Sequence, residues 1–165
     1  MNIRQAVIND AENLAHLISQ VERESEFMLY EAGERNTSKE LQEKMINYFN
    51  LQNNLAIFVA EEDHQLHGYL LVMGGQANKN KHSAYIVIGI RSQSTGQGVG
   101  TQLFQEMEKW AKEVGLHRLE LTVIQHNESA FHLYKKVGFE VEGVKKDSLY
   151  IDEQYVDEYY MAKLI

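Results

Sequence analysis

The stretch Thr95-Gly-Gln-Gly-Val-Gly-Thr101 lies between an apolar run, Ala84 to Ile90, and a segment with helical periodicity. Three glycines in five residues let a backbone approach a ligand where a Cβ would intervene. The run before them reads as a buried strand. The segment after them puts Val99, Leu103, Phe104, Met107, Trp110, Ala111 and Val114 on one helical face. A glycine turn leading from a strand into a helix gathers unpaired N–H groups and the positive end of the helix dipole at one point. Such a point favours phosphate, and the expected ligand is a cofactor carrying a pyrophosphate. The alternative is a tight turn without a ligand, because glycines are common in loops.

Two other phosphate-binding loops do not fit. A nucleotide-hydrolase loop requires Gly-x-x-x-x-Gly-Lys-Ser/Thr, whereas Gly100 is followed by Thr101, Gln102 and Leu103. A dinucleotide fold places Gly-x-Gly-x-x-Gly after its first strand, whereas these glycines stand at 96, 98 and 100, late in the chain. Phosphoryl transfer also lacks the lysine and an evident magnesium carboxylate.

A second motif follows the strand-like run Leu119 to Ile124: Asn127-Glu-Ser-Ala-Phe-His-Leu-Tyr134-Lys-Lys-Val-Gly138-Phe139. Asn127 suits a helix N-cap and Gly138 a helix stop. In order and separation the two segments resemble the GCN5-related N-acetyltransferase family. Its loop reads Arg/Gln-x-x-Gly-x-Gly/Ala and its later helix Asn-x-x-Ala-x-x-Leu-Tyr-x-x-x-Gly-Phe. The resemblance covers essentially the whole chain, with one departure: Thr95 stands where the family usually has arginine or glutamine.

The resemblance implies acetyl-CoA as co-substrate and direct transfer of its acetyl group to a primary amine. It places the coenzyme A pyrophosphate on the loop Thr95, Gly96, Gln97, Gly98, Val99, Gly100 and Thr101, held by the N–H groups from Gly96 onward. The main chain at Ile88 and Ile90 would pair with the pantetheine arm, and a backbone N–H there would polarise the thioester carbonyl. Gly89 between them would ease a bulge, and parting of the fourth and fifth strands would open a slot. Asn127 would contact the cofactor or hold the fifth strand aside. Tyr134 would touch the cofactor and protonate the departing thiolate as general acid. The alternative for Tyr134 is simple packing. For the general base, Glu120, His82 and Tyr85 all lie within the expected region, with Glu120 the leading choice.

Composition narrows the field. At 165 residues one domain, 1–165, is expected, with 44% apolar and 24% charged residues. The start Met1-Asn-Ile-Arg-Gln-Ala-Val reads as a first strand rather than a signal peptide. No long apolar run suggests a membrane span. With no cysteine there is no disulfide scaffold, zinc–thiolate site or cysteine nucleophile, and a cytoplasmic location fits. His64 and His67 are spaced on a hairpin, not as a metal pair, and no metal is expected. The formal charge of −8 speaks against nucleic acid and suits a cationic acceptor, a small-molecule or peptide amine. A small cationic amine or polyamine is the leading acceptor; a protein N-terminus, an amino acid or an antibiotic are alternatives. A coenzyme A-binding sensor without catalysis is the competing class of function.

The element pattern reads βααβββαβαββ, an α/β chain with a mixed, largely antiparallel central sheet flanked by helices. This agrees with the acyl-CoA N-acyltransferase fold that the resemblance implies, and would also suit a non-catalytic α/β domain. Helices are expected over Asn9–Val21, Ser38–Asn50, Val99–Val114 and Asn127–Val137. Residues Glu22–Asn36 read as an irregular segment, either a substrate wall or a cover for the core. Asp147–Tyr155 reads as a loop before a tyrosine-rich last strand. The acidic tail there would receive the acceptor or form a homodimer contact, or would simply be a charged edge hairpin.

Overall fold

The computed structural model describes all 165 residues. Seven strands form one sheet: β1 (Asn2–Gln5), β2 (Leu55–Glu62), β3 (Gln65–Gly74), β4 (Ser83–Ile90), β5 (Arg118–Ile124), β6 (Glu140–Ile151) and β7 (Gln154–Leu164). Their order is β1-β2-β3-β4-β5-β7-β6, and every pairing is antiparallel except β4–β5. Helices α1 (Ala11–Glu24) and α2 (Lys39–Asn50) cover one face; α3 (Val99–Glu113) and α4 (Glu128–Lys136) cover the other. The mixed, largely antiparallel sheet expected from the sequence is therefore present. Strand β2 is apolar at almost every position because helices bury both of its faces. Leu14, Ile18, Ile46 and Tyr69 anchor the α1/α2 side, and Leu70, Leu103, Phe104 and Met107 the α3 side. No helix is long and apolar enough to cross a membrane.

Two segments differ from the sequence reading. Helix α1 begins later, after a 3-10 turn at Ile8–Asp10, and runs on through Glu24. Asp10 is engaged before the helix starts: its carboxylate takes both terminal nitrogens of Arg4, at 2.7 and 2.9 Å, and the Val7 N–H at 2.7 Å. The far end persists because Glu22 continues the buried stripe and pairs with Arg35 at 2.6 Å. The expected loop Asp147–Tyr155 is instead the end of a β6–β7 hairpin. Its turn, Asp152-Glu153, has φ of 49° and 62°, matching the Asp63-His64 turn of β2–β3 at 50° and 63°. Two left-handed residues give a two-residue turn the twist that antiparallel strands need, and aspartate tolerates the first position without glycine. Within β6 the register slips between Lys145 and Leu149. There the Asp147 N–H donates to Asp157 and the Ser148 hydroxyl to Glu158.

The feature that matters for function lies at the centre of the sheet. Strands β4 and β5 pair at only three positions, Ser83–Arg118, Ala84–Leu119 and Tyr85–Glu120, and then continue without pairing. A bridge from the Tyr85 hydroxyl to Thr122 Oγ1, 2.8 Å, closes the junction just beyond the last pair. On its other side β4 stays in unbroken register with β3, from Ala84–Gly74 to Ile90–Gly68. The bulge expected at Gly89 is thus absent. Gly89 serves a different purpose: a Cβ there would stand 2.5 Å from the Tyr69 ring and 2.8 Å from its hydroxyl.

Two outcomes follow from this packing. Gly89→Ala should lower stability by about 1–3 kcal/mol in denaturant unfolding, because the buried Tyr69 ring must shift. Burial alone would raise the Asp10 carboxyl, but hydrogen bonds from Arg4 and Val7 and the Arg4 charge outweigh it and hold the group below its usual 3.8. A lowered folded-state value stabilises above the unfolded value and is lost as pH falls through the folded one. Asp10→Asn should therefore be less stable than the parent at neutral pH, with the difference shrinking in acid, as unfolding midpoints across pH will register.

Candidate active site

The diverging strands leave main-chain groups exposed to the gap. In an antiparallel pair, alternate residues direct both N–H and C=O to the partner strand. Gly75 N–H to Ser83 O and Arg91 N–H to His67 O set the phase between β3 and β4. Residues 83, 85, 87, 89 and 91 therefore bond β3, while Ile88 and Ile90 turn their N–H and C=O toward the gap. These are the two residues that the sequence suggested for main-chain pairing with an extended ligand.

At the open end of the gap lies the glycine loop. Gly96 and Gly98 adopt φ of 73° and 80°, a region that costs other residues about 1–2 kcal/mol. The N–H groups of Gly96, Gln97, Gly98, Val99, Gly100 and Thr101 have no acceptor within the chain. Four unpaired N–H groups are normal for a helix start, and the two glycine turns add Gly96 and Gln97 to them. Thr95 is not a gap in the motif, since its hydroxyl braces the loop by donating to Ser92 O at 2.7 Å. Gln97 donates to Gln93 O at 2.8 Å, and buried Ser94 pairs with His67 Nδ1 at 3.0 Å. From α1, Glu24 accepts the Ser92 N–H at 2.7 Å, and that bond draws the Glu24 carboxyl below its usual range. Gly100 lets α3 meet α4, because a Cβ there would be 2.6 Å from Leu133 and 3.2 Å from Ile90.

Tyr134 belongs to α4, whose N-cap is Asn127; the Asn127 side chain accepts the Ala130 N–H at 3.3 Å. Its ring packs edge-on against Phe104 at 5.8 Å and tilts against Phe139 at 6.2 Å. The residue is buried, yet its hydroxyl has no hydrogen-bond partner within the chain. Burial first, and the nearby Tyr85 second, push the phenol well above its usual range, so it stays protonated at neutral pH. Packing and a free proton donor are thus combined in one side chain.

Other candidates fall elsewhere. Glu120 stands at the last β4–β5 pair, at the closed end of the gap, and Arg118 Nε holds its carboxylate at 2.9 Å. With Tyr85, Arg118, Glu142 and Tyr160 it lines a cavity of about 260 Å³. His82 is exposed, before the strands part, beside His117 at 6.4 Å. A larger cavity of about 590 Å³, lined by Phe49, Asn53 and Trp110 among others, meets the C-terminal end of α3 and so lies away from the loop. The irregular segment after α1 meets the β5–α4 connection through Phe27, whose ring lies 5.5 Å from His126. Sequence reading missed Tyr69, Arg91 and buried Glu22. The signal for Glu22 was present, since it falls four residues after Ile18 on an apolar stripe.

Known proteins share this fold. Residues 19–139 match the Acetyltransferase (GNAT) family. The L-amino acid N-acetyltransferase AaaT of Escherichia coli (strain K12) is 36% identical over 110 residues, which cover 64% of this chain and 66% of that protein. The chain thus spans just under two thirds of that relative's length. A crystal structure of a GNAT-family acetyltransferase from Streptococcus pneumoniae superposes with a TM-score of 0.95 at 30% identity, over 99% of this chain and 98% of that one. The yncA acetyltransferase of Salmonella typhimurium, solved with its cofactor acetyl-CoA, shares the fold at a TM-score of 0.88 and 16% identity, over 99% and 93% of the two chains. Matched by that family model over residues 19–139, this chain belongs to the GNAT acetyltransferase family.

Proposed function

We propose that the protein transfers the acetyl group of acetyl-CoA directly to the primary amine of a small molecule. The observation that carries this reading is the run of six unpartnered N–H groups beside the open stretch between β4 and β5, and Tyr134, a protonated phenol on the α3/α4 side of the sheet, supports it. The pyrophosphate would bind the N–H groups from Gly96 to Thr101, and the pantetheine arm would add to the free edge of β4 at Ile88 and Ile90. Strand-like pairing of this kind needs no side chains. The amine would attack the thioester carbon while a β4 N–H polarises its carbonyl. The carbon–nitrogen bond forms, the carbon–sulfur bond breaks, and Tyr134 gives its proton to the departing sulfur. Glu120 would accept the surplus amine proton through water, with Arg118 fixing its orientation. A sensor without catalysis would need the N–H groups and the open strand edge but not the unbonded Tyr134 hydroxyl.

A free amino acid and a small cationic amine are the two acceptor classes to weigh. The acids near the gap do not stand free for a cation: Arg118 engages Glu120 and Glu142, and Asp157 and Glu158 hold the β6 irregularity. The unpaired edge of β6, with Val141, Val144 and Tyr150 exposed, is the surface on which a homodimer would form.

The direct test is release of free coenzyme A from acetyl-CoA across L-amino acids, putrescine, spermidine, aminoglycosides and basic N-terminal peptides. Tyr134→Phe should lower turnover by about 10²-fold or more, the usual scale for a general acid, with acetyl-CoA affinity little changed. Normal turnover would remove Tyr134 from the chemistry. Glu120→Gln should be slow at neutral pH and recover as pH rises and the amine loses its proton unaided; a flat deficit would mark a structural role only. Gly100→Ala should weaken acetyl-CoA binding several-fold in calorimetry by pushing the start of α3 off Leu133.

A further inference from the structure

Three buried side-chain nitrogen or oxygen atoms in the protein lack a hydrogen-bond partner: Gln42 Oε1, Tyr69 Oη and Arg91 Nε. The last two lie on one face of the sheet, around Gly89. Tyr69 is the register partner of Gly89, and its ring tip lies over Gly89. Arg91 follows two residues on, and its N–H continues the ladder to His67. Partners in a ladder and residues two apart on a strand share a face, so both side chains lie on the α1 side of the sheet. That is the face opposite Tyr134. Beside them the other edge of β4 has no partner strand.

Both groups are donors in need of an acceptor. A guanidinium can only donate, and burial keeps the Tyr69 phenol protonated. Arg91 is half-buried, and no carboxylate lies within ion-pair distance of it. The neighbouring acids are already engaged. Glu24 accepts the Ser92 N–H while also feeling the Arg91 charge. Glu22, with 3% of its side chain exposed, is held by Arg35, the two of them acting in opposite senses on the Tyr69 phenol. Leaving two such donors unpaired costs stability, and an anionic oxygen brought to this face would relieve that cost.

We propose that Tyr69 and Arg91 form the subsite for a carboxylate of the acceptor, which makes a free amino acid the substrate class. This rests on the transferase reading above and extends it. Tyr134 would serve the leaving sulfur from the α3/α4 face of the gap, while Tyr69 and Arg91 hold the incoming molecule from the α1 face. Arginine suits a carboxylate because its fork of N–H groups matches two oxygens. A cationic amine would instead meet a positive charge at this position. The shared chemistry is an anionic oxygen, and a phosphate of the cofactor is the other source of one.

The test compares L-phenylalanine and L-methionine with phenethylamine, which lacks the carboxylate, in the parent, Arg91→Gln and Tyr69→Phe proteins. Acetyl-CoA affinity is measured in parallel by calorimetry. The parent should prefer the amino acids. Each substitution should raise their KM by about ten-fold, the scale of a lost hydrogen bond to a charged group. Rates with phenethylamine and the affinity for acetyl-CoA should not move. Tyr69→Phe should also unfold no earlier than the parent, since the hydroxyl it removes has no partner in the chain. A parent that favours phenethylamine, or an unchanged amino-acid KM in both variants, overturns the subsite. Loss of acetyl-CoA affinity in Arg91→Gln assigns the arginine to a cofactor phosphate and also overturns it. A parent that releases no coenzyme A with any acceptor overturns the transferase reading itself.

Discussion

Beyond Tyr85 one central strand of the sheet runs with a neighbour on a single side. Buried main-chain groups are almost always paired, so an interior strand with a free edge is costly unless something else completes it. The fold tolerates this opening because β3 holds β4 through an unbroken ladder and the Tyr85–Thr122 bridge fixes where the opening begins. β5 is independently secured by β7 along its whole length, from Arg118–Leu164 to Ile124–Glu158. Each wall of the gap is thus rigid by virtue of its outer neighbour. A ligand that supplies strand-like hydrogen bonds would fit there without reshaping either wall.

The last turn of α1 links the two sides of this opening. Glu24 reaches the segment leading into the glycine loop, and Glu22 fixes Arg35 and with it the irregular chain that follows. Arg35 also lies over the Tyr30 ring at 4.4 Å. Residues 25–38 are therefore tied to the helix that braces the loop, and they meet the β5–α4 connection through Phe27 and His126.

Legibility in the sequence followed the range of the interactions involved. The glycine loop, the Asn127 cap and the position of Tyr134 were visible because turn chemistry and helical period act over a few residues. The gap could be expected only through the family resemblance, because strand parting is a property of two segments more than thirty residues apart. Asp147–Tyr155 was misread because β6 loses its strand alternation where the register slips between Lys145 and Leu149, and the Asp152-Glu153 turn offers no glycine to mark the hairpin in its place. The pairing of Tyr69 with Gly89, and hence the company of Arg91, depends on the β3–β4 register, which periodicity alone does not reveal.

Gly89 and Tyr69 also constrain each other across generations. While the ring lies over the strand, position 89 cannot carry a side chain; if position 69 became small, alanine or valine at 89 would fit the space left behind. The two sites should therefore change together or not at all, although twenty residues separate them. A glycine in the middle of a buried strand can thus mark the footprint of an aromatic ring on the strand next door.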